Sequence, residues 1–133
     1  MRVVLLNALV VSIAVGLGLP TPGSAHHSVS SEFDLTKRVT LTGVITQVEW
    51  VNPHAWFYID VKDPKTSKVS NWAFQLNSPN ALAKLGWTRD MLKVGDIVTV
   101  EGALSKDGWA KGNTRRITLP DGRIVLALFS PAN

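Results

Sequence analysis

Residues 38–50 read Arg38-Val39-Thr40-Leu41-Thr42-Gly43-Val44-Ile45-Thr46-Gln47-Val48-Glu49-Trp50. Val39, Leu41, Gly43 and Ile45 share one parity, and Thr40, Thr42, Val44, Thr46 and Val48 share the other. Successive side chains of a strand point to opposite faces, and β-branched residues suit that pleated surface. The stretch therefore predicts one long strand. Gly43 in its interior predicts a bulge or sharp bend. Asn52-Pro53 is a turn dipeptide and ends it.

The same period continues downstream. Ala55 to Val61 predicts a second strand, with Ala55, Phe57, Ile59 and Val61 on one side and Trp56, Tyr58 and Asp60 on the other. A hairpin loop around Asp63-Pro64 leads to a third strand, Val69 to Leu76, which presents Trp72, Phe74 and Leu76 on one face. The pattern then turns helical. Ser78 can cap free amides, Pro79 suits the first helical position, Ala81, Leu82 and Leu85 form the apolar stripe, and Gly86 suits the stop. Thr88 can cap a further turn through Met91-Leu92. Ile97 to Leu104 predicts a fourth strand. Lys106 to Asn113 reads as a glycine-containing loop, and Arg116–Leu119 with Arg123–Leu128 as a last hairpin around Pro120-Asp121-Gly122. The expected fold is mainly β: a small five-to-six-stranded OB-like Greek-key barrel with one short helix between strands 3 and 4. A small β-sandwich with an inserted helix is the alternative.

Upstream, Arg2 and an apolar run from Val3 to Leu19 precede Pro20-Thr21-Pro22-Gly23-Ser24-Ala25. That is the pattern of a cleavable secretory signal ending after Ala25. The run falls short of the roughly 20 residues that a spanning anchor needs. The expected division is a signal peptide over 1–25, an extended N-terminal arm over 26–37 and the barrel domain over 38–133. The expected location is the periplasm, with no membrane association after cleavage. The chain has no cysteine, so disulfides, thiolate metal sites and cysteine nucleophiles are excluded. The 108 residues after Ala25 can bury a core without staples. The formal net charge of +4 is mild and its basic residues are scattered, so no nucleic-acid partner is expected.

Several motifs occur together in order: Ala25-His26-His27-Ser28, Glu49-Trp50-Val51-Asn52-Pro53-His54-Ala55-Trp56, Ser78-Pro79-Asn80-Ala81-Leu82, Gly86-Trp87-Thr88 and Leu119-Pro120-Asp121-Gly122-Arg123. With these the chain resembles an uncharacterised group of bacterial exported proteins, domain of unknown function 6152. The resemblance spans essentially the whole mature chain. It implies an exported bacterial protein and supplies no activity.

The three histidines are His26, His27 and His54. A cut after Ala25 gives His26 a free α-amine beside its own imidazole. Amine and ring nitrogen, joined by the ring of His27 or His54, form a nitrogen set suited to tetragonal Cu(II). A cut one residue earlier leaves Ala25-His26-His27, which also makes a square-planar site. Zinc is disfavoured without cysteine and with three imidazoles. The expectation is a periplasmic binding protein that holds copper through His26, His27 and His54, as carrier or chaperone rather than oxidase. Asn52 and Pro53 supply the turn that aims His54. Against this, histidines on a frayed arm can be merely solvated.

Aromatic residues give a second reading. Trp56 and Tyr58 share a strand face and Trp72 stands on the next strand, so these rings with Asn52 are candidates for a metal-independent platform that holds a small ligand or a protein partner in the periplasm. The competing use of the rings is to fill the barrel and plug its ends. No Gly-x-Ser-x-Gly elbow, His-Glu-x-x-His pair or phosphate loop occurs, and no catalytic residue is assigned.

Overall fold

The computed structural model describes residues 28–127. In chain order the elements are α1 (Val29–Glu32), β1 (Phe33–Glu49), β2 (Trp56–Lys62), β3 (Val69–Gln75), α2 (Pro79–Lys84), β4 (Ile97–Ser105), β5 (Lys111–Thr118) and β6 (Ile124–Leu126). The strands lie in the order β3-β2-β1-β4-β5-β6, and a further β3–β5 pairing closes the first five into a ring. This is the expected OB-like barrel with a short helix between the third and fourth strands.

The long first strand makes the ring possible. Its Phe33–Val44 portion pairs with β4, and Val44 to Glu49 pairs with β2. The change of partner falls where the sequence places Gly43. A Cβ there would stand 2.5 Å from the carbonyl oxygen of Asp60, so only glycine lets the bent strand pass that close. Register shifts between Asp34 and Arg38 and between Ile45 and Gln47 add local bending.

Inside the ring, Ile45, Phe57, Ile59, Phe74, Leu76, Val98, Val100 and Ile117 are all buried. Phe57 and Phe74 stack with centroids 5.6 Å apart. Leu82 of α2 and Trp87 close one end. Trp87 packs edge-on to Trp50 at 6.4 Å and donates its indole N–H to the Leu126 carbonyl at 2.8 Å. Ser78 accepts a hydrogen bond from the Ala81 amide as the helix cap.

Two expected boundaries move. The segment 26–37 is not wholly an extended arm: Val29–Glu32 is a turn of helix and β1 begins at Phe33, whose ring is buried and whose partner is Ser105. Phe33 and Leu35 share the parity of Val39 and Leu41, but Lys37 interrupts the alternation where the register shifts between Asp34 and Arg38. Residues 106–113 are likewise not all loop, because β5 begins at Lys111. Gly112 there serves close packing and not a turn: a Cβ would meet the Phe74 ring at 2.7 Å.

That contact makes a test of closure. Phe74 is fully buried between Phe57 and Trp72, with ring centroids 5.6 and 6.1 Å away, so it cannot swing aside. Gly112→Ala should therefore lower unfolding free energy by about 1–3 kcal/mol in urea titration. Wild-type stability in that variant would contradict the seam.

Candidate binding cavity

The loop after β1 is clamped before it enters β2. The Ala55 amide donates to the Asn77 carbonyl at 3.1 Å, and the Leu76 amide donates to the Ala55 carbonyl at 2.8 Å. His54, half-buried, directs Nδ1 to the Leu76 carbonyl at 3.2 Å. A carbonyl only accepts, so Nδ1 carries the proton, and in the neutral ring Nε2 keeps the lone pair. A backbone partner on one ring nitrogen is the arrangement that orients histidine ligands in metal sites.

The facing wall comes from the N-terminal segment. The Lys106 amide donates to the Glu32 carbonyl at 2.9 Å, and Lys106 Nζ donates to the Ser30 carbonyl at 2.6 Å. The Ser31 amide and hydroxyl both donate to the Ser28 carbonyl, at 2.8 and 2.7 Å. Phe33 is 1% exposed, and Lys111 Nζ lies 5.9 Å from its ring centroid. Between the two walls lies a cavity of about 300 Å³, reached by Glu32, Phe33, Asn52, His54, Trp56 and Gln75 among others.

The loop that carries Lys106 is itself fastened by Asp107. Its carboxylate accepts from the Ser105 hydroxyl at 2.6 Å, the Trp109 amide at 3.0 Å and Lys111 Nζ at 3.0 Å. These donors, led by Ser105, lower its pKa from 3.8 to about 2. A second cleft of about 370 Å³ lies elsewhere, between residues 88–96 and 119–123. There Asp121 is bound to Arg123 and Asp90 to Thr88.

The candidate residues separate. His54, Asn52 and Trp56 line the cavity, whereas His26 and His27 lie outside the described residues, as does the signal segment 1–25. Ser28, which follows His27 directly, is in the cavity wall. Tyr58 is on the same outer parity as Trp56 but is not in the cavity wall; it donates to Glu49 at 3.4 Å, and burial, then the Glu49 charge, raises its pKa. Trp72 does not join them. It pairs with fully buried Ile59 and stacks on Phe74 at 6.1 Å, so it faces the barrel interior and the expected Trp56-Tyr58-Trp72 platform is not formed. Among the described residues no cluster of three histidine, cysteine or acidic side chains is poised for a metal, and no helix is long and apolar enough to cross a membrane. Sequence reasoning missed Phe33, Glu32 and Gln75; Phe33 alone carried a signal, as the single ring in a polar segment.

The Asp107 anchor has a pH signature. Its folded pKa lies below the unfolded value, so its contribution is complete above that value and disappears as pH falls through the folded one. Carbon-13 titration of Asp107 should give a midpoint of about 2. Asp107→Asn should remove the corresponding acid sensitivity of the Lys106 and Trp109 amide signals. A wild-type midpoint at the ordinary 3.8 would contradict the anchor.

No curated protein matches the chain. Among solved structures it is similar to Rim1, a mitochondrial single-stranded DNA binding protein from S. cerevisiae, at 12% identity and a TM-score of 0.49, over 65% of this chain and 93% of that one. The expectation of no nucleic-acid partner is corrected here, because the similar structure is that of a single-stranded DNA binding protein. Scatter along the sequence was a poor guide as well: Arg38, Arg115 and Arg116 converge on Glu101 at 3.5, 3.3 and 2.7 Å. A family of unknown function (DUF6152) matches residues 15–115, and the chain belongs to that family.

Proposed function

We propose that this chain is a small exported binding protein, delivered to the periplasm by its signal peptide, that holds copper between its mature N-terminal histidines and His54. One observation carries the reading. Ser28 lies in the wall of the cavity that also holds His54, whose ring is tied through Nδ1 to the Leu76 carbonyl. In the sequence, His27 and His26 precede that wall residue by one and two positions. Their rings and the α-amine that cleavage would expose are nitrogen donors of the kind Cu(II) prefers. Carriage of the ion, rather than oxidation chemistry, needs nothing further from the chain. A metal-independent reading draws on Trp56 and Asn52, which line the same cavity.

Intact mass of the secreted protein fixes the terminus first, with a start at His26 expected. Cu(II) titration should then show at least about tenfold weaker binding in His26→Ala and in His54→Ala. The nitrogen splitting in the copper paramagnetic spectrum should lose one coupled ring in each variant. A start beyond His27, or equal affinity in all three proteins, would overturn the reading.

A further inference from the structure

We propose that the cavity binds a small organic amine in its ammonium form, held by Glu32, His54 and Gln75 with its apolar body against Trp56. The charge of the lining sets the sign of the ligand. Among the described residues, Glu32 is the one carboxylate in the cavity wall, and neither lysine nor arginine lines it. The two lysines that approach from outside are engaged elsewhere. Lys106 Nζ donates to the Ser30 carbonyl at 2.6 Å, and Lys111, 5.9 Å from the Phe33 ring centroid, is paired with Asp107 at 3.0 Å. No described basic side chain stands within ion-pair distance of Glu32 itself. An anion entering here would meet that carboxylate with nothing in the wall to offset it.

Gln75 points to a ligand independently of charge. It faces Trp56 across the β2–β3 pair, and its neighbour Phe74 belongs to the barrel core, so Gln75 and Trp56 both leave the outer side of the sheet. Outward residues of a barrel are ordinarily wet, yet Gln75 is 5% exposed, and it lines the cavity. Among the described residues its carboxamide has no hydrogen-bond partner. Unlike the Asn113 nitrogen, neither of its polar atoms is sealed from solvent. Folded proteins rarely bury an amide to this degree without giving it a partner.

An ammonium group has three N–H donors and no acceptor. The wall offers three acceptors: the Glu32 carboxylate, the Gln75 amide oxygen and the Nε2 lone pair that His54 keeps while its Nδ1 donates to the Leu76 carbonyl. The Trp56 indole adds an electron-rich face, which attracts a cation and covers an apolar body equally well. A volume of about 300 Å³ lies at the lower end of small-molecule sites, which fits one ring or a short chain bearing one amine.

The inference rests on the metal-independent use of the cavity, and excess chelator separates its test from the copper reading. Benzylamine is the probe, added to the purified processed protein at neutral pH. Benzyl alcohol, with the same ring and no charge, and sodium benzoate, with the opposite charge, are the controls. Benzylamine should shift the Gln75 side-chain amide and Trp56 indole signals saturably, at concentrations where both controls leave them in place. Glu32→Gln, at an exposed position that leaves the fold intact, should weaken binding about fivefold, the scale of a solvent-screened ion pair. Gln75→Leu should weaken it about tenfold or more, the scale of a hydrogen bond to a charged group. Linear shifts without saturation, equal binding of benzyl alcohol or benzoate, or wild-type affinity in both variants would overturn the proposal.

Discussion

Strand β5 can lie beside β3 only because Gly112 has no side chain where the Phe74 ring passes. Three register pairs, Ala73 with Lys111, Phe74 with Gly112 and Gln75 with Asn113, make up that seam. It is short, yet it turns an open sheet into a ring and gives Phe74 its place between Phe57 and Trp72. Loss of the seam would expose Phe74 and leave β5 held by β4 and β6. It would also part Gln75 from Asn113, its register partner.

The seam reaches the cavity through the loop between β4 and β5. Closure positions Lys111, Lys111 and Ser105 fasten Asp107, and the adjoining Lys106 fixes the carbonyls of Ser30 and Glu32. The N-terminal segment is thus held against the barrel by the far side of the ring. From the other direction, the end of β3 clamps Ala55 and His54. One wall depends on β4 and β5 and the other on β2 and β3, so the cavity exists only in the closed barrel. Individually these exposed hydrogen bonds contribute little; burial of Phe33 is the larger anchoring force.

Alternation in residues 38–50, 55–61 and 69–76 was enough to reveal the first three strands, and Ser78-Pro79 with Gly86 bracketed the helix. Pairing is another matter. Nothing local in Lys111-Gly112-Asn113 distinguishes a seam from a turn, because the reason for the glycine is a ring nearly forty residues away. Trp72 shows the same limit. Its parity with Phe74 was plain, but which side of β3 faced inward relative to Trp56 followed only from the Ile59–Trp72 register. Of the cavity, His54, Asn52 and Trp56 could be suspected by residue type. Gln75 could not, since an amide in a strand carries no mark of burial.

The central claim is that closure brings the chain's amino end and the His54 loop to one cavity. Paramagnetic broadening of backbone amides by substoichiometric Cu(II) tests it most directly in the processed protein. Signals of residues 28–33, 52–56 and 75 should fade together, while those around Asp90 and Asp121 at the second cleft persist. Broadening confined to residues 28–30, with 52–56 sharp, would show that the amino end holds metal without the barrel and would contradict the account.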